Sequence, residues 1–548
     1  MRIKIILLLI VLIAAVLRLW NLGTIPPSLT WDEVAWGYNA YSIGIDGKDE
    51  FGRFLPFDYI ESFGDFKPVL YVYLTVLPIK IFGLQEFAVR LPSAVIGILT
   101  VLVVFFLVRQ IFNSSKNAVM YAIVTAFLLA VSPWHIMLSR GAWEANLVPF
   151  FISLGVYFFL LSVEKIGKRK WFLPVSAIMF ALSIYSFNSG RVVAPIIVGI
   201  LGFIHIKKLW NMKLVSIIAV IVGIVALLPT LPHLLTPEAT LRFREVNLFS
   251  DISVIERINQ EVANDHFSLF SRLIHHRFFT FPVEVLKHYF DHFNFSYLFI
   301  TGDPNPKFSI PDVGLMYVWQ LPFFIFGLLQ LFKRREGKWW VIFIILLVGI
   351  MPAALATDSP HSLRIAVSIP AFLAVSGYGV VLAYEWLKNQ KISVFFKKLI
   401  SFIVGFCLLI NIIFFVHSYF SHYSDVYSGA WQYGYKPSIA YVQQHEKEYD
   451  EIHITNRLGR PYVYYLFYNQ TPPSEFRSTM KVKRESFGFV NISQVGKYHF
   501  IEEIHEHEPD RTKKILYINT PSEVPTGAKI LENFYDLDGT LSLVAYEF

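Results

Sequence analysis

The chain has 548 residues, 55% of them hydrophobic and 16% charged, with a formal net charge of +7. Apolar stretches of spanning length recur through its first three quarters, a pattern that fits neither a soluble multidomain enzyme nor a receptor with one span. The positive charge sits in lysines and arginines clustered between those stretches, which argues against a nucleic-acid partner.

Runs of about 20 apolar residues favour helices over barrel strands, which would alternate with period two. The opening MRIKIILLLIVLIAAVLRLW has the basic start and apolar core of a signal peptide. No small-x-small site precedes Leu17, Arg18, Leu19 and Trp20, so it reads as an uncleaved first span. Candidate spans follow at about 4–20, 91–111, 119–138, 147–163, 171–187, 192–206, 214–234, 316–332, 339–356, 365–386 and 398–418. The stretch 68–83 is shorter and interrupted by Pro78 and Lys80.

Parity decides how 68–83 is treated. Left out, with the N-terminus inside, it lets EKIGKRK, IKKLWNMK, KRREGK and KNQKISVFFKK all face the cytoplasm. Counted in, it sends them outside, against the positive-inside bias. The expected architecture is therefore an α-helical multi-pass membrane protein of about eleven spans with a cytoplasmic N-terminus. Segment 68–83 is then an interfacial or re-entrant helix on the outer face. A transmembrane domain over 1–420 has outer loops at 21–90 and 235–315 and is followed by a small extracytoplasmic α/β domain over 421–548. In that last part EIHIT, YVYYLFY, KKILYIN and LSLVAYEF read as strands and SIAYVQQHEKEYD as a helix. The lone Cys407 allows no intrachain disulfide.

Charged residues then collect on the outer side. Thr30 and Glu33 have the spacing of a capping box, and Asp32 lies in the first helical turn, where an acid complements the helix dipole. Adjacent helical residues point about 100° apart, so if Glu33 caps the helix, Asp32 is the acid left to face a pocket. Asp65 and Lys67 precede the 68–83 helix, though a lysine here also suits headgroup anchoring. SRGAWEAN carries Arg140, Glu144 and Asn146; Arg140 and Glu144 have the spacing of a helical ion pair. Arg191, and then Asp358, His361 and Arg364, complete the outer set. Cations at the outer interface suit a lipid phosphate, and a neighbouring carboxylate can deprotonate an acceptor hydroxyl as it attacks a sugar carbon. No phosphate-binding glycine loop is present.

The acidic pair in the first outer loop, then DFKPVLYVYLTVLPIKIFGLQEFAVRLPSA, then HIMLSRGAWEANL, resembles the C-type (GT-C) membrane glycosyltransferases. The nearest branch is that of the dolichyl-phosphate-mannose protein mannosyltransferases and their bacterial aminoarabinose-transferase relatives. The usual Lys-Pro-Pro-Leu reads Lys-Pro-Val-Leu here. The resemblance is good from 1 to 200, moderate around HFNFSYLFITGD and PHSLRIAVSIP, and weak in the C-terminal part. It implies Asp32 as catalytic base with Glu33 as its partner, Lys67 on the lipid phosphate, and Glu144 as a second acid. Arg191, His361 and Arg364 become phosphate or sugar ligands; Asp65, Arg140 and Asn146 are candidate substrate-binding residues by their place in the outer clusters alone. It also implies a polyprenyl-phosphate-linked hexose or pentose donor and inversion at the anomeric carbon. The acceptor would be a protein, lipid or glycan, and the setting the cell membrane. No cofactor is required. Outer-loop carboxylates could hold a divalent metal as in oligosaccharide-transferring relatives, but no ligand set demands one. Arg242, Arg244, His275, His276 and Arg277 in the long loop suit either the substrate cleft or interfacial packing. His505 and His507 fall on one side if IEEIHEHEPD is a strand; a metal site is the minor reading there and a solvated charged segment the default. The competing functional classes are a transporter or flippase of a lipid-linked anion and a non-catalytic assembly protein.

Overall fold

A computed structural model describes residues 2–164, 167–236, 246–484, 490–501 and 512–548. Arg242, Arg244, His505 and His507 lie outside the described residues. The chain is mostly helical and carries a β-sheet near its C-terminus. Its contacts divide it into two compact units, the first comprising Met1–Leu17, Ile96–Ser139 and Glu144–Ile413, the second Arg18–Val95, Arg140–Trp143 and Phe414–Phe548.

The first unit is built of apolar helices, and each stretch singled out by hydropathy contains one. The first helices along the chain are α1 (Arg2–Leu19), α2 (Trp31–Asp46), α3 (Leu70–Phe82), α4 (Glu86–Ile111), α5 (Ala118–Val131), α6 (Pro133–Arg140), α7 (Leu147–Glu164), α8 (Phe172–Ile184) and α9 (Asn188–Ile204); α2, α3 and the start of α4 up to Val95 belong to the second unit. Among the described residues five helical stretches are long and apolar enough to cross a membrane, or six if α5 and α6, bent by 55° across the break at Ser132, count as one. Others are apolar but shorter, such as Trp340–Ala354. The same holds for α3, which at 13 residues is too short to span at about 1.5 Å per residue. Helix Val394–His417 leaves Phe395, Phe402, Phe406, Leu409 and Ile413 exposed, an apolar surface suited to lipid. Helices Gln320–Arg334 and Ile369–Asn389 cross at Gly327 and Gly379, where a Cβ would meet a backbone carbonyl at 2.2 and 1.9 Å; glycine there permits close helix contact.

Polar contacts tie together loops on each end of this unit. At one end Gln110 donates to Glu164 (2.7 Å), Lys338 pairs with Glu164 (3.6 Å), and Asn117 donates to Glu385 (2.6 Å). Elsewhere Trp134 bonds the backbone of Leu315 and Ser362. The segments after α4, α7 and Gln320–Arg334, which parity puts on one side, thus do meet. The long loop has its own small core of Leu248, Val254, Ile258 and Phe281. There His275 pairs with Glu261 (2.8 Å), and His276 caps the helix that begins at Arg277.

The second unit joins the first loop to the C-terminal domain. Its seven-stranded sheet is built from β3 (Glu451–Thr455), β4 (Met480–Arg484), β5 (Val490–Val495), β6 (Tyr498–Ile501), β7 (Ile515–Asn519), β8 (Lys529–Tyr535) and β9 (Leu541–Glu547), in the order β4-β5-β6-β3-β7-β9-β8. β3 runs parallel to both β6 and β7; the other pairs are antiparallel. EIHIT, KKILYIN and LSLVAYEF are strands as expected. YVYYLFY is not: Pro461–Tyr468 is a helix, opened by proline at its first position and buried along its length. Aromatic residues suit strands by propensity, but here burial against α2 and helix Tyr435–His445 prevails. The approach to α2 is close enough that a Cβ on Gly37 would meet Phe467 and Val89 at 2.7 Å.

Candidate active site

α2 starts where it does because Thr30 is extended and closes the capping box. The Thr30 hydroxyl accepts the Glu33 N–H (3.4 Å), and Glu33 Oε2 accepts the Thr30 N–H (2.9 Å). Glu33 Oε1 accepts Arg90 Nε (3.0 Å) and the Ala142 N–H (2.8 Å). Glu33 and Arg90 are both fully buried. Arg90 also donates to the carbonyls of Leu22 (3.2 Å), Pro26 (2.8 Å) and Ser28. Glu33 is therefore committed to holding the helix start, four ways over.

One residue earlier the helical rotation turns Asp32 elsewhere. Its side chain stays 35% exposed and forms an ion pair with Lys67, which is 8% exposed. A short hairpin delivers that lysine. β1 (Ile60–Ser62) and β2 (Asp65–Lys67) are joined by Phe63 and Gly64, both at positive φ, a two-residue turn matched to strand twist. Strand alternation places Asp65 and Lys67 on one face. The Lys67 ammonium lies 4.9 Å from the Trp36 ring and 5.2 Å from the Phe63 ring, so aromatic faces share in stabilising it. Trp36 is one helical turn beyond Asp32. Arg460 approaches Phe63 from the C-terminal domain, its guanidinium 5.5 Å from the ring.

The hairpin has a buried polar backing. Asn39 donates to Ser62 (3.2 Å) and accepts the Glu50 N–H (2.9 Å), while Ser62 donates to Glu50 Oε1 (2.9 Å). Burial pushes the Glu50 carboxyl up to about 8. The folded chain thus holds a proton that an unfolded glutamate, with its ordinary value of 4.5, has lost. The contribution of Glu50 to stability is present below about pH 4.5 and is lost as pH rises toward 8. Glu50→Gln, which stays neutral, is expected to flatten that slope and raise the melting temperature at pH 8. Thermal unfolding in detergent at pH 5, 6.5 and 8 measures both.

The other expected residues are distributed as follows. Arg140 is fully buried in the second unit and donates to the carbonyls of Asn21 (3.3 Å) and Ile25 (2.8 Å) and to the Tyr419 hydroxyl (3.3 Å). Helix α6 ends at Arg140 and Glu144 opens a separate 3-10 turn, so the helical spacing expected of the two does not form. Asn146, buried, ends that turn, and Arg191 lies in the first turn of α9. In the first unit Arg364 pairs with Asp358 (3.4 Å), and His361 lies 4.0 Å from the buried carboxylate of Asp303. Asp303 accepts the Ser362 N–H (2.7 Å), and the His361 N–H donates to His292 (3.1 Å). Burial raises the Asp303 carboxyl above its usual range and lowers His292 to about 4, so His292 is the neutral acceptor that bond requires. Residue-by-residue reading did not single out Asp303, Arg90 or Arg460. Arg90 and Asp303 lie inside stretches that carry the family resemblance, whereas Arg460 has no local signal.

Residues 66–235 match the dolichyl-phosphate-mannose-protein mannosyltransferase family. No curated protein matches the chain by sequence. Among solved structures, ArnT from Cupriavidus metallidurans in the apo state superposes with a TM-score of 0.56 at 12% identity, covering 98% of this chain and 97% of that one. ArnT bound to undecaprenyl phosphate gives 0.55 and 13% over the same shares. The oligosaccharyltransferase AglB from Archaeoglobus fulgidus, in complex with an inhibitory peptide and a dolichol-phosphate, gives 0.46 and 14%; 77% of this chain is covered, and the chain spans 56% of AglB. The resemblance to the C-type glycosyltransferases therefore stands on a family match as well as on motif order, and the fold is ArnT-like along nearly its whole length.

Proposed function

We propose that the chain moves a monosaccharide from a polyprenyl-phosphate donor to an acceptor at the outer face of the membrane, with Asp32 as general base. The single observation that carries this reading is the Asp32–Lys67 pair: a partly exposed carboxylate held beside a cation that is itself buried among aromatic rings. The acceptor hydroxyl loses its proton to the Asp32 carboxylate as its oxygen bonds to the anomeric carbon. The bond from that carbon to the phosphate oxygen breaks, and the electron pair leaves with the lipid phosphate. Lys67 stabilises the charge gathering there, in a setting poor enough in water to strengthen the attraction. Glu33 acts as a positioning residue, keeping the helix start against Arg90.

The setting belongs to the same proposal: about eleven spans, the N-terminus in the cytoplasm, and the 421–548 domain outside. Contacts at one end of the first unit support it, because they join the segments after α4, α7, Gln320–Arg334 and Ile369–Asn389, which the basic-residue bias puts on the same side. Polyprenyl-phosphate donors are proposed as partners by the family match and by the ligand in the ArnT complex. Comparison of cell-envelope glycans and lipids by mass spectrometry, with and without the gene, tests the whole reading. One sugar adduct should disappear and its polyprenyl-phosphate donor accumulate. Unchanged adducts with a lipid-linked anion stranded on the inner leaflet would point to a flippase instead.

A further inference from the structure

The C-terminal sheet holds a side-chain cluster that the transfer reaction does not use. β3 and β6 are parallel neighbours in which His453 and His499 are register partners, so their side chains leave the same face of the sheet. Glu451, two residues before His453 on β3, leaves that face as well. Glu451 Oε2 lies 3.0 Å from His453 Nε2 and 3.8 Å from His499 Nε2, and one donor atom from each of the three falls within 4.8 Å of the others. The two imidazole centroids are 4.7 Å apart.

The oxygens of Glu451 divide their work. Oε1 accepts from Lys513 at 2.5 Å, whereas Oε2 faces both histidines. His453 is buried, with the Tyr517 ring edge-on at 5.2 Å; His499 and Glu451 remain partly accessible. The cluster thus has a buried inner ligand and two partly exposed outer ones.

We propose that Glu451, His453 and His499 form a divalent metal site, with zinc the best fit. Two imidazole nitrogens and one carboxylate oxygen are a common zinc donor set, completed by water in the fourth position. Metal–ligand distances of about 2.0–2.2 Å in a tetrahedral site put neighbouring donor atoms about 3.3–3.5 Å apart. The 3.0 and 3.8 Å separations from Glu451 bracket that value, and with the third lying within 4.8 Å, side-chain rotation has to draw the two imidazoles together around the ion. Lys513 on Oε1 is the outer partner that orients the carboxylate. Bound metal would lock β3 to β6 and favour the folded sheet.

The test uses the full chain in detergent, stripped with a chelator and dialysed. Zinc added back should bind at one equivalent per chain and raise the melting temperature. Cobalt in its place should show the strong visible absorption of four-coordinate sites. His499→Gln alters a partly exposed residue and is expected to weaken zinc at least tenfold and abolish both signals. Should it misfold, Glu451→Gln serves, with the same expectation. Failure of the unmodified chain to bind zinc, or equal zinc and equal thermal shift in the unmodified chain and His499→Gln, would overturn the site and leave a plain hydrogen-bond network. None of these readouts depends on sugar transfer.

Discussion

Asp32→Asn is expected to lower sugar transfer by about 10³-fold while the protein inserts, folds and still binds donor. General-base catalysis contributes roughly 10²–10⁴ in rate, and the amide keeps the shape of the carboxylate but cannot take a proton. The asparagine carbonyl still accepts from the mostly buried Lys67 ammonium, and position 32 is 35% exposed, so the stability cost is expected to stay below that of stranding a fully buried charge. Chemistry and folding are thereby separated. Single-turnover transfer from a polyprenyl-phosphate sugar, measured beside the melting temperature, reads the two. Lys67→Ala supplies the contrast, because removing the phosphate-binding cation should raise the KM for donor more than that for acceptor. A transfer rate for Asp32→Asn within tenfold of the unmodified chain would refute the base assignment.

Arg90→Met is expected to destabilise the protein by about 3–5 kcal/mol, the usual cost of stranding a buried charge. Glu33 would keep its bonds from the Thr30 and Ala142 N–H groups but lose its counter-ion, with no water to replace it. Three carbonyls that Arg90 now bonds would lose their donor as well. The companion change Glu33→Gln removes the stranded charge, so the double variant should recover a good part of the loss. A double-mutant cycle on melting temperature in detergent measures the coupling. Additive effects of the two changes would show that the pair does not hold the start of α2. Activity should follow stability here, unlike at Asp32, because Arg90 acts through Glu33 and the helix rather than on substrate.

The two positions show how far a linear reading reaches. The capping box was legible at Thr30 and Glu33, since residues three apart must meet if a helix begins there. Its consequence, that Asp32 turns toward another partner, followed from the rotation per residue. What could not be read was the identity of the group opposite Glu33. Arg90 stands 57 residues away in an apolar helix, where an arginine near a span end reads equally well as an interfacial anchor. Arg140, another residue expected near substrate, is buried and bonds the backbone carbonyls of Asn21 and Ile25, partners that no local pattern announces. The aromatic run at 461–468 misled for a related reason: strand propensity is weak beside the burial of a whole helix.

The apolar helices, the helix start at Thr30 and the change of character near residue 420 are written locally, because hydropathy, capping and β-propensity act over a few to twenty residues. Which charges meet, and how much water they keep, was decided only when the chain closed on itself. The Asp32–Lys67 pair, the Glu33–Arg90 pair and the Glu451–His453–His499 cluster each join residues from separate segments. Their energies come from desolvation and from distances of about 3 Å that no local pattern encodes.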